Sequence, residues 1–326
     1  MRVVCLAGGV GGAKLADGLA QVLAPGELTV VVNTGDDFER HSLAIWPDHD
    51  TVLYTLAGLA DAAQGWGLTN ETWKVMDRLA QMGESTWFRL GDRDIGTHLF
   101  RTERLRRGMR PTEVARELAM ALGVGSTILP MSDQPVRTRV RTDDGWLDFQ
   151  DYFVRLRQQP EVREISFDGA AVAGATPEVL AAISAAEAIV VAPSNPLVSI
   201  GPILAVPGIL EAIRATRGNG VAAVGVSGIV GGRALRGPAD RMLTSLGEES
   251  SAVGVARRYA AAGLLDGLAI DGQDEPLAAE VESLGLRCRV ADTVMTSHQS
   301  RAALARVLLD FAATIAAQKR TEAGIS

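Results

Sequence analysis

The sequence predicts an α/β fold: a doubly wound, mostly parallel, Rossmann-like sheet with a helical insertion and a β-hairpin. Three observations carry this. Short runs rich in Val, Ile and Leu alternate with helical patterns along most of the chain, as right-handed βαβ units require. The runs lack a polar alternate, which is how strands buried on both faces read. Glycine is in excess, 35 of 326 residues, and much of it sits in clusters that end the apolar runs, where loops let backbone approach a ligand closely.

Taken in order, Arg2–Ala7, Leu28–Val32, Ala188–Ala192, Val221–Val226 and Leu265–Ile270 read as strands. Ala13–Leu23, Ile209–Arg214, Ala239–Leu246, Ala252–Ala261 and Ser297–Gln318 read as helices. Thr51 to Leu122 breaks the alternation. It holds no strand pattern; Asn70 reads as a cap for Glu71–Met82, Ile95–Arg107 is basic and helical, and Pro111 opens a helix through Leu122. Arg137–Thr142 and Trp146–Val154 alternate around Asp143-Asp144-Gly145, a hairpin signature. The domain reading is a nucleotide-binding core of residues 1–50 and 123–326, with the hairpin near 136–154, and an insertion of residues 51–122. Thr321–Ser326 are expected to fray.

Composition excludes several classes. Hydrophobic residues at 47% and charged ones at 22% are ordinary globular usage. Lys and Arg number 32 against 39 Asp and Glu, for a net charge of −7, so no positive field awaits a nucleic acid. Cys5 and Cys288 are too few for a disulfide framework or a zinc site, and the chain reads as reduced and cytoplasmic. The apolar start stops at paired glycines and reads as a strand instead of a signal peptide. The longest apolar stretch, Leu197 to Leu210, carries Pro202 and Pro207 and falls short of the roughly 18 residues of a membrane span.

The chemistry-bearing residues follow the strands. Gly8-Gly9-Val10-Gly11-Gly12-Ala13-Lys14 opens the first helix; converging amides and the helix dipole there suit phosphate. It is neither a dinucleotide fingerprint, which wants glycine at Lys14, nor a Walker loop, which wants Ser or Thr at Leu15. Asn33-Thr34-Gly35-Asp36-Asp37 ends the second strand, and His41, Asp48, His49 and Asp50 follow. The hard oxygens of Asp36 and Asp37 suit Mg²⁺ bridging to substrate phosphates. Arg89 and Arg93, in Arg89-Leu90-Gly91-Asp92-Arg93-Asp94, are candidates for phosphate or carboxylate contacts, whereas most arginines from Arg101 to Arg110 read as a solvated helix face. Arg137, Arg139 and Arg141 read as facing solvent. Pro193-Ser194-Asn195-Pro196-Leu197-Val198-Ser199-Ile200-Gly201-Pro202 and Ser227-Gly228-Ile229-Val230-Gly231-Gly232-Arg233 end later strands with groups able to read a base or sugar.

Together with Asp50-Thr51-Val52-Leu53-Tyr54-Thr55-Leu56, these motifs, in this order from Met1 to about residue 300, resemble the 2-phospho-L-lactate transferase family of coenzyme F420 biosynthesis. The resemblance implies a transferase that joins a phosphorylated three-carbon acid, delivered as its guanosine diphosphate-linked donor, to the deazaflavin alcohol Fo, with GMP leaving. It implies that Asp50 and Arg89 contact Fo, that Gly9, Val10, Gly11, Gly12, Ser194, Asn195, Ser199 and Gly201 hold the nucleotide, and that Mg²⁺ assists near Asp36 and Asp37. One departure stands out: the family usually has proline after the serine of the fifth loop, and Gly228 follows Ser227 here, which should loosen that loop.

Alcohol attack on a diphosphate needs neutralised charge, in-line positioning and a group to orient the hydroxyl. Asp50, Asp37 and Arg89 are the expected catalytic set, and Trp66, Trp73, Trp87 and Phe88 a wall for a flat deazaflavin if they are not core. The motifs leave phospholactate, phosphoenolpyruvate and phosphoglycerate open as the acid. A homodimer is the expected assembly. Two rivals are a nucleotide-sugar-binding regulator of the gluconeogenesis-factor type, which has no need of Asp50 and Arg89, and an NAD(P) oxidoreductase, which Lys14 disfavours.

Overall fold

The computed structural model describes residues 1–61 and 63–322. A seven-stranded parallel sheet runs in the spatial order Arg287–Ala291, Gly267–Asp271, Ala222–Val226, Ala188–Val191, Val3–Ala7, Leu28–Val32, Thr127–Pro130. The chain starts inside the sheet, fills one side as far as Thr127–Pro130, then returns to build the other. Direction therefore switches between Val3–Ala7 and Ala188–Val191, and open α/β sheets bind ligands beside such a switch. Val3 pairs with Ala188 and Leu6 with Val191, so the two strands end level.

Alternate side chains of each strand feed two different cores. Val4, Leu6, Ile189 and Val191 enter one with the helices Pro177–Ser184, Ile209–Gly218 and Ala252–Ala261. Val3, Cys5, Val30 and Val190 enter the other with Gly9–Val22 and the long helix His298–Glu322. Each such Val, Leu or Ile contributes roughly 1.5–3 kcal/mol on full burial, which is why these strands are apolar at nearly every position. Among the described residues, no helix is long and apolar enough to cross a membrane.

Five sheet strands fall within two residues of the runs seen in the sequence. The other two are the edges. Arg287–Ala291 alternates charged and half-buried residues, and Thr127–Pro130 ends on a proline; an edge strand permits both, so neither carries a buried-strand pattern. The hairpin forms from Arg137–Thr142 and Gly145–Asp148, and Glu164–Asp168 adds a third strand on its far side. Its second strand is shorter than Trp146–Val154, because Asp151–Arg155 coils into a wide helical turn. Thr138, Val140 and Thr142 point inward and Arg141 outward, while Arg137 and Arg139 are half-buried. A further hairpin, Phe38–Arg40 with Leu43–Ile45, turns through His41 and Ser42 at φ 50° and 58°. Without glycine or asparagine there, that turn leaves no trace in the sequence.

The segment from Thr51 to Leu122 holds no sheet strand among its described residues. Its end helices belong to the main core: Val52, Leu53 and Tyr54 of Pro47–Leu56, and Val114, Ala115 and Leu118 of Pro111–Ala121. The middle of the segment adds Met76 and Leu90 to a small separate core shared with Ile45, which precedes it. Asn70 is not the cap expected of it. It sits at φ 55°, and the helix begins at Lys74, where the Asp92 carboxylate accepts from the amides of Lys74 at 3.1 Å and Val75 at 3.0 Å. A charged acceptor from another segment thus outcompetes the local amide side chain. The final helix ends at Glu322, and the rest of the stretch expected to fray lies outside the described residues.

Candidate active site

The loops after the first, second, fourth and fifth strands converge at the switch point and enclose, with the insertion, a cavity of about 1000 Å³. Gly9, Val10, Gly11, Asp36, Asp48, Asp50, Arg89, Ser194, Asn195 and Ser199 line it. Gly12, Asp37 and Gly201 do not. Gly12 packs beneath the loop, where a Cβ would meet Ser194 Oγ at 2.8 Å, and Gly201 lies in the helix Ile200–Ala205 against Phe167.

The glycine cluster is the first turn of its helix, which begins at Gly9 instead of Ala13. Its amides therefore have no intrahelical acceptor and point toward the cavity end. Ser194 Oγ accepts from the Gly8 amide at 3.1 Å and donates to the Gly8 carbonyl at 2.8 Å, stapling the first and fourth loops together. A Cβ at Gly11 would stand 2.4 Å from the Pro193 carbonyl oxygen, so this seam closes only with glycine. Asn195 Oδ1 accepts from the Leu197 amide at 2.9 Å and shapes its own loop. Ser227 Oγ closes on Ile229, and a Cβ at Gly228 would come within 3.3 Å of the Pro193 carbonyl. That loop is pinned rather than loosened.

Acidic groups fill the floor. Asn33, just past the second strand, donates from Nδ2 to Asp36 at 3.1 Å and Asp48 at 2.9 Å. Burial pushes Asp48 up to about 6, against the Asn33 donor and the Gly9 amide. Burial and then the neighbouring Asp48 push Asp36 well above the usual carboxylate range, and burial does the same to Asp37 despite Arg137 and Arg101. Asp37 Oδ1 and Thr34 Oγ1 are buried with no hydrogen-bond partner. Crowded, desolvated carboxyls of this kind are stabilised in their charged form by a hard cation. The donor set thus fits Mg²⁺, with Asp36 facing the cavity and Asp37 behind it.

Asp50 is built differently. It sits in the first turn of Pro47–Leu56 and is held by Arg101, whose Nη2 contacts Oδ1 and whose guanidinium lies 4.4 Å from the Trp46 ring centre. Burial alone would raise this carboxyl; Arg101, the His49 hydrogen bond and His98 prevail and hold it at about 2. Its Oδ2 is buried without a hydrogen-bond partner. Arg101 Nη1 also lies 3.0 Å from His98 Nδ1, and His98 Nε2 lies 3.2 Å from Asp94 Oδ2. Tyr54 donates to Asp94 at 2.6 Å. Asp50, Asp94 and His98 place potential ligand atoms within 4.8 Å of one another, but Arg101 already supplies the positive charge there.

Arg101 corrects the sequence reading: it is fully buried, not part of a solvated face. The available signal was spacing, since Asp94, His98 and Arg101 fall at i, i+4 and i+7 on one helix and Asp50 and Tyr54 at i and i+4 on another. Arg93 is also corrected. Its Nη1 donates to the Thr69 carbonyl at 2.7 Å, so it joins two segments of the insertion. Arg89 is exposed over the Trp73 ring at 4.2 Å. Trp66 and Trp87 line the cavity, as does Phe88, which also packs against the small core of Ile45, Met76 and Leu90, and Phe149 and Phe153, stacked 5.4 Å apart, line it from the hairpin side.

Fold and site together define a doubly wound α/β protein with an acid-floored ligand crevice at its switch point. Residues 3–300 match the family described as 2-phospho-L-lactate transferase CofD. A phosphoenolpyruvate transferase of Streptomyces griseus is 46% identical over 322 residues, spanning 97% of this chain and 100% of its own. A 2-phospho-L-lactate transferase of Methanosarcina mazei is 37% identical over 307 residues, spanning 94% of this chain and 99% of its own. The chain belongs to the 2-phospho-L-lactate transferase CofD family, a family of group transferases. Among solved structures, a upf0052-family protein of Bacillus halodurans matches 94% of this chain and 98% of that one, with a TM-score of 0.60 at 17% identity, a likeness of fold.

Proposed function

We propose that this chain transfers a phosphoenolpyruvyl or phospholactyl group from its guanosine diphosphate-linked donor to the ribityl hydroxyl of Fo, in coenzyme F420 biosynthesis. The hydroxyl oxygen bonds to the phosphorus bearing the three-carbon acid, the bond from that phosphorus to the GMP oxygen breaks, GMP leaves, and the hydroxyl proton passes to solvent. The observation that carries this reading is the buried, ionised Asp50 facing a cavity that also holds the glycine-rich turn and an aromatic wall.

A carboxyl held at about 2 is a weak base at neutral pH. Asp50 therefore orients the hydroxyl, which suits a loose phosphoryl transition state that asks for positioning more than proton abstraction. The amides of Val10 and Gly11 cradle the nucleotide phosphates, and the Pro193–Gly201 loop borders the guanosine. Trp66, Trp87 and Phe88 offer the deazaflavin a flat apolar face, with Arg89 at its edge. Mg²⁺ held at Asp36 and Asp37 would supply neutralising charge for the diphosphate.

The phosphoenolpyruvyl donor is favoured, because relatives named for it are 41–46% identical, against 37% for a relative named for phospholactate. Mass spectrometry of products after incubation with Fo, Mg²⁺ and each guanylylated acid tests the reading. The expected product is Fo carrying phosphoenolpyruvate, with one GMP released per product. Absence of any Fo adduct with all the donors overturns it.

A further inference from the structure

Two cations stand beside the glycine-rich turn, and neither forms an ion pair among the described residues. Lys14 lies one turn into the first helix, where its side chain leans back over Val10 and Gly11. Its Nζ donates to the Met295 carbonyl at 2.9 Å. Arg236 belongs to the loop leading into Ala239–Ser245 and reaches across to the insertion, donating from Nη1 to the Gln64 carbonyl at 2.7 Å. Gly65, at φ +78°, lies under the guanidinium, and a Cβ there would stand 2.6 Å from Nη1 and 3.0 Å from Cζ. Both residues line the same cavity.

The charge around them is unbalanced. Burial, then Arg301, then Arg236 push the Lys14 ammonium down from its usual range. Arg301 is neutralised by Asp17 at 2.9 Å; among the described residues Arg236 has a neutral carbonyl as its partner. Cations gathered at a helix start without a counter-charge are an arrangement that an anionic ligand completes.

We propose that Lys14 and Arg236 form the anion clamp of the site, gripping the donor's diphosphate from the helix on one side and the Leu235–Pro238 loop on the other. This rests on the guanosine diphosphate-linked donor proposed above, but the clamp concerns the diphosphate and not the base. It also gives Lys14 a use in a motif that fits no standard phosphate loop.

Calorimetric titration with GDP, guanosine and inorganic diphosphate separates the two ideas. Wild-type protein should bind GDP and diphosphate, and Lys14→Met and Arg236→Gln should each weaken both by about 10- to 100-fold, the scale of one charge-assisted hydrogen bond. Guanosine binding should not change, and Arg236→Lys should recover part of the loss. Because Arg236 is exposed, its glutamine variant decides the matter if Lys14→Met fails to fold. Unchanged GDP and diphosphate affinity in Arg236→Gln and Lys14→Met overturns the clamp and leaves the transferase reading standing. Diphosphate binding that the variants lose, without any preference for guanosine nucleotides, upholds the clamp and removes the guanosine donor. Wild-type protein that binds neither overturns both.

Discussion

Replacing Arg101 with methionine keeps most of the side-chain volume and removes the charge that holds Asp50. Removing one partner of a buried ion pair costs about 3–5 kcal/mol, since the other charge stays desolvated. The pH dependence is diagnostic. In the wild type Asp50 sits at about 2 against an ordinary value of 3.8, so its folded pKa is depressed, and the stability it confers is present above 3.8 and lost as pH falls toward 2. That shift corresponds to about 2 kcal/mol at 1.36 kcal/mol per unit. In the variant, burial acts with less opposition, Asp50 rises above 3.8, and its charged form destabilises the fold at neutral pH. Urea unfolding of both proteins from pH 7 down to 4 should therefore show a gap that is widest at pH 7 and narrows as pH falls. Turnover should fall well beyond the change in KM for the donor, and Arg101→Lys should restore part of it. A stability gap independent of pH, with turnover intact, would refute the assignment of Arg101 as the group that keeps Asp50 ionised.

Other outcomes test neighbouring parts of the argument. Asp50→Asn should lower kcat by about 100-fold while leaving GDP affinity near wild type, since misplacing a reacting group by about 1 Å costs on the order of 10²-fold; steady-state kinetics with Fo and donor checks this. Gly11→Ala should part the first and fourth loops, because its methyl would fall 2.4 Å from the Pro193 oxygen; nucleotide affinity measured by calorimetry should drop. Protein stripped with EDTA should lose transfer activity and regain it with Mg²⁺, and full activity after stripping would exclude the metal. The same stripped protein should unfold at a lower temperature than the Mg²⁺-loaded form, as mass action requires for an ion bound to the folded state.

Where sequence and structure part company, the cause is non-local in each case. The interior strands were legible because burial on both faces imprints an unbroken apolar run, as in Val3–Ala7. The edge strand Arg287–Ala291 escaped because one side has no neighbour and charge is allowed there. The glycine and aspartate loops announced themselves because backbone closeness and hard oxygens demand particular residue types. Arg101 did not, because an arginine on a basic helix looks the same whether it meets water or Asp50.

By itself, then, the order of residues determined the α/β class, the five interior-type strands, the switch-point loops and the presence of Asp36, Asp48 and Asp50 near one another along the chain. Only the tertiary structure decided which of the many charges would be paired. Asp50 is ionised because a helix some fifty residues later delivers Arg101 to it, |i−j| = 51, while Lys14 and Arg236 meet no carboxylate among the described residues. A charge's partner depends on which distant segment packs beside it, and desolvation then makes that choice worth more than any local pattern.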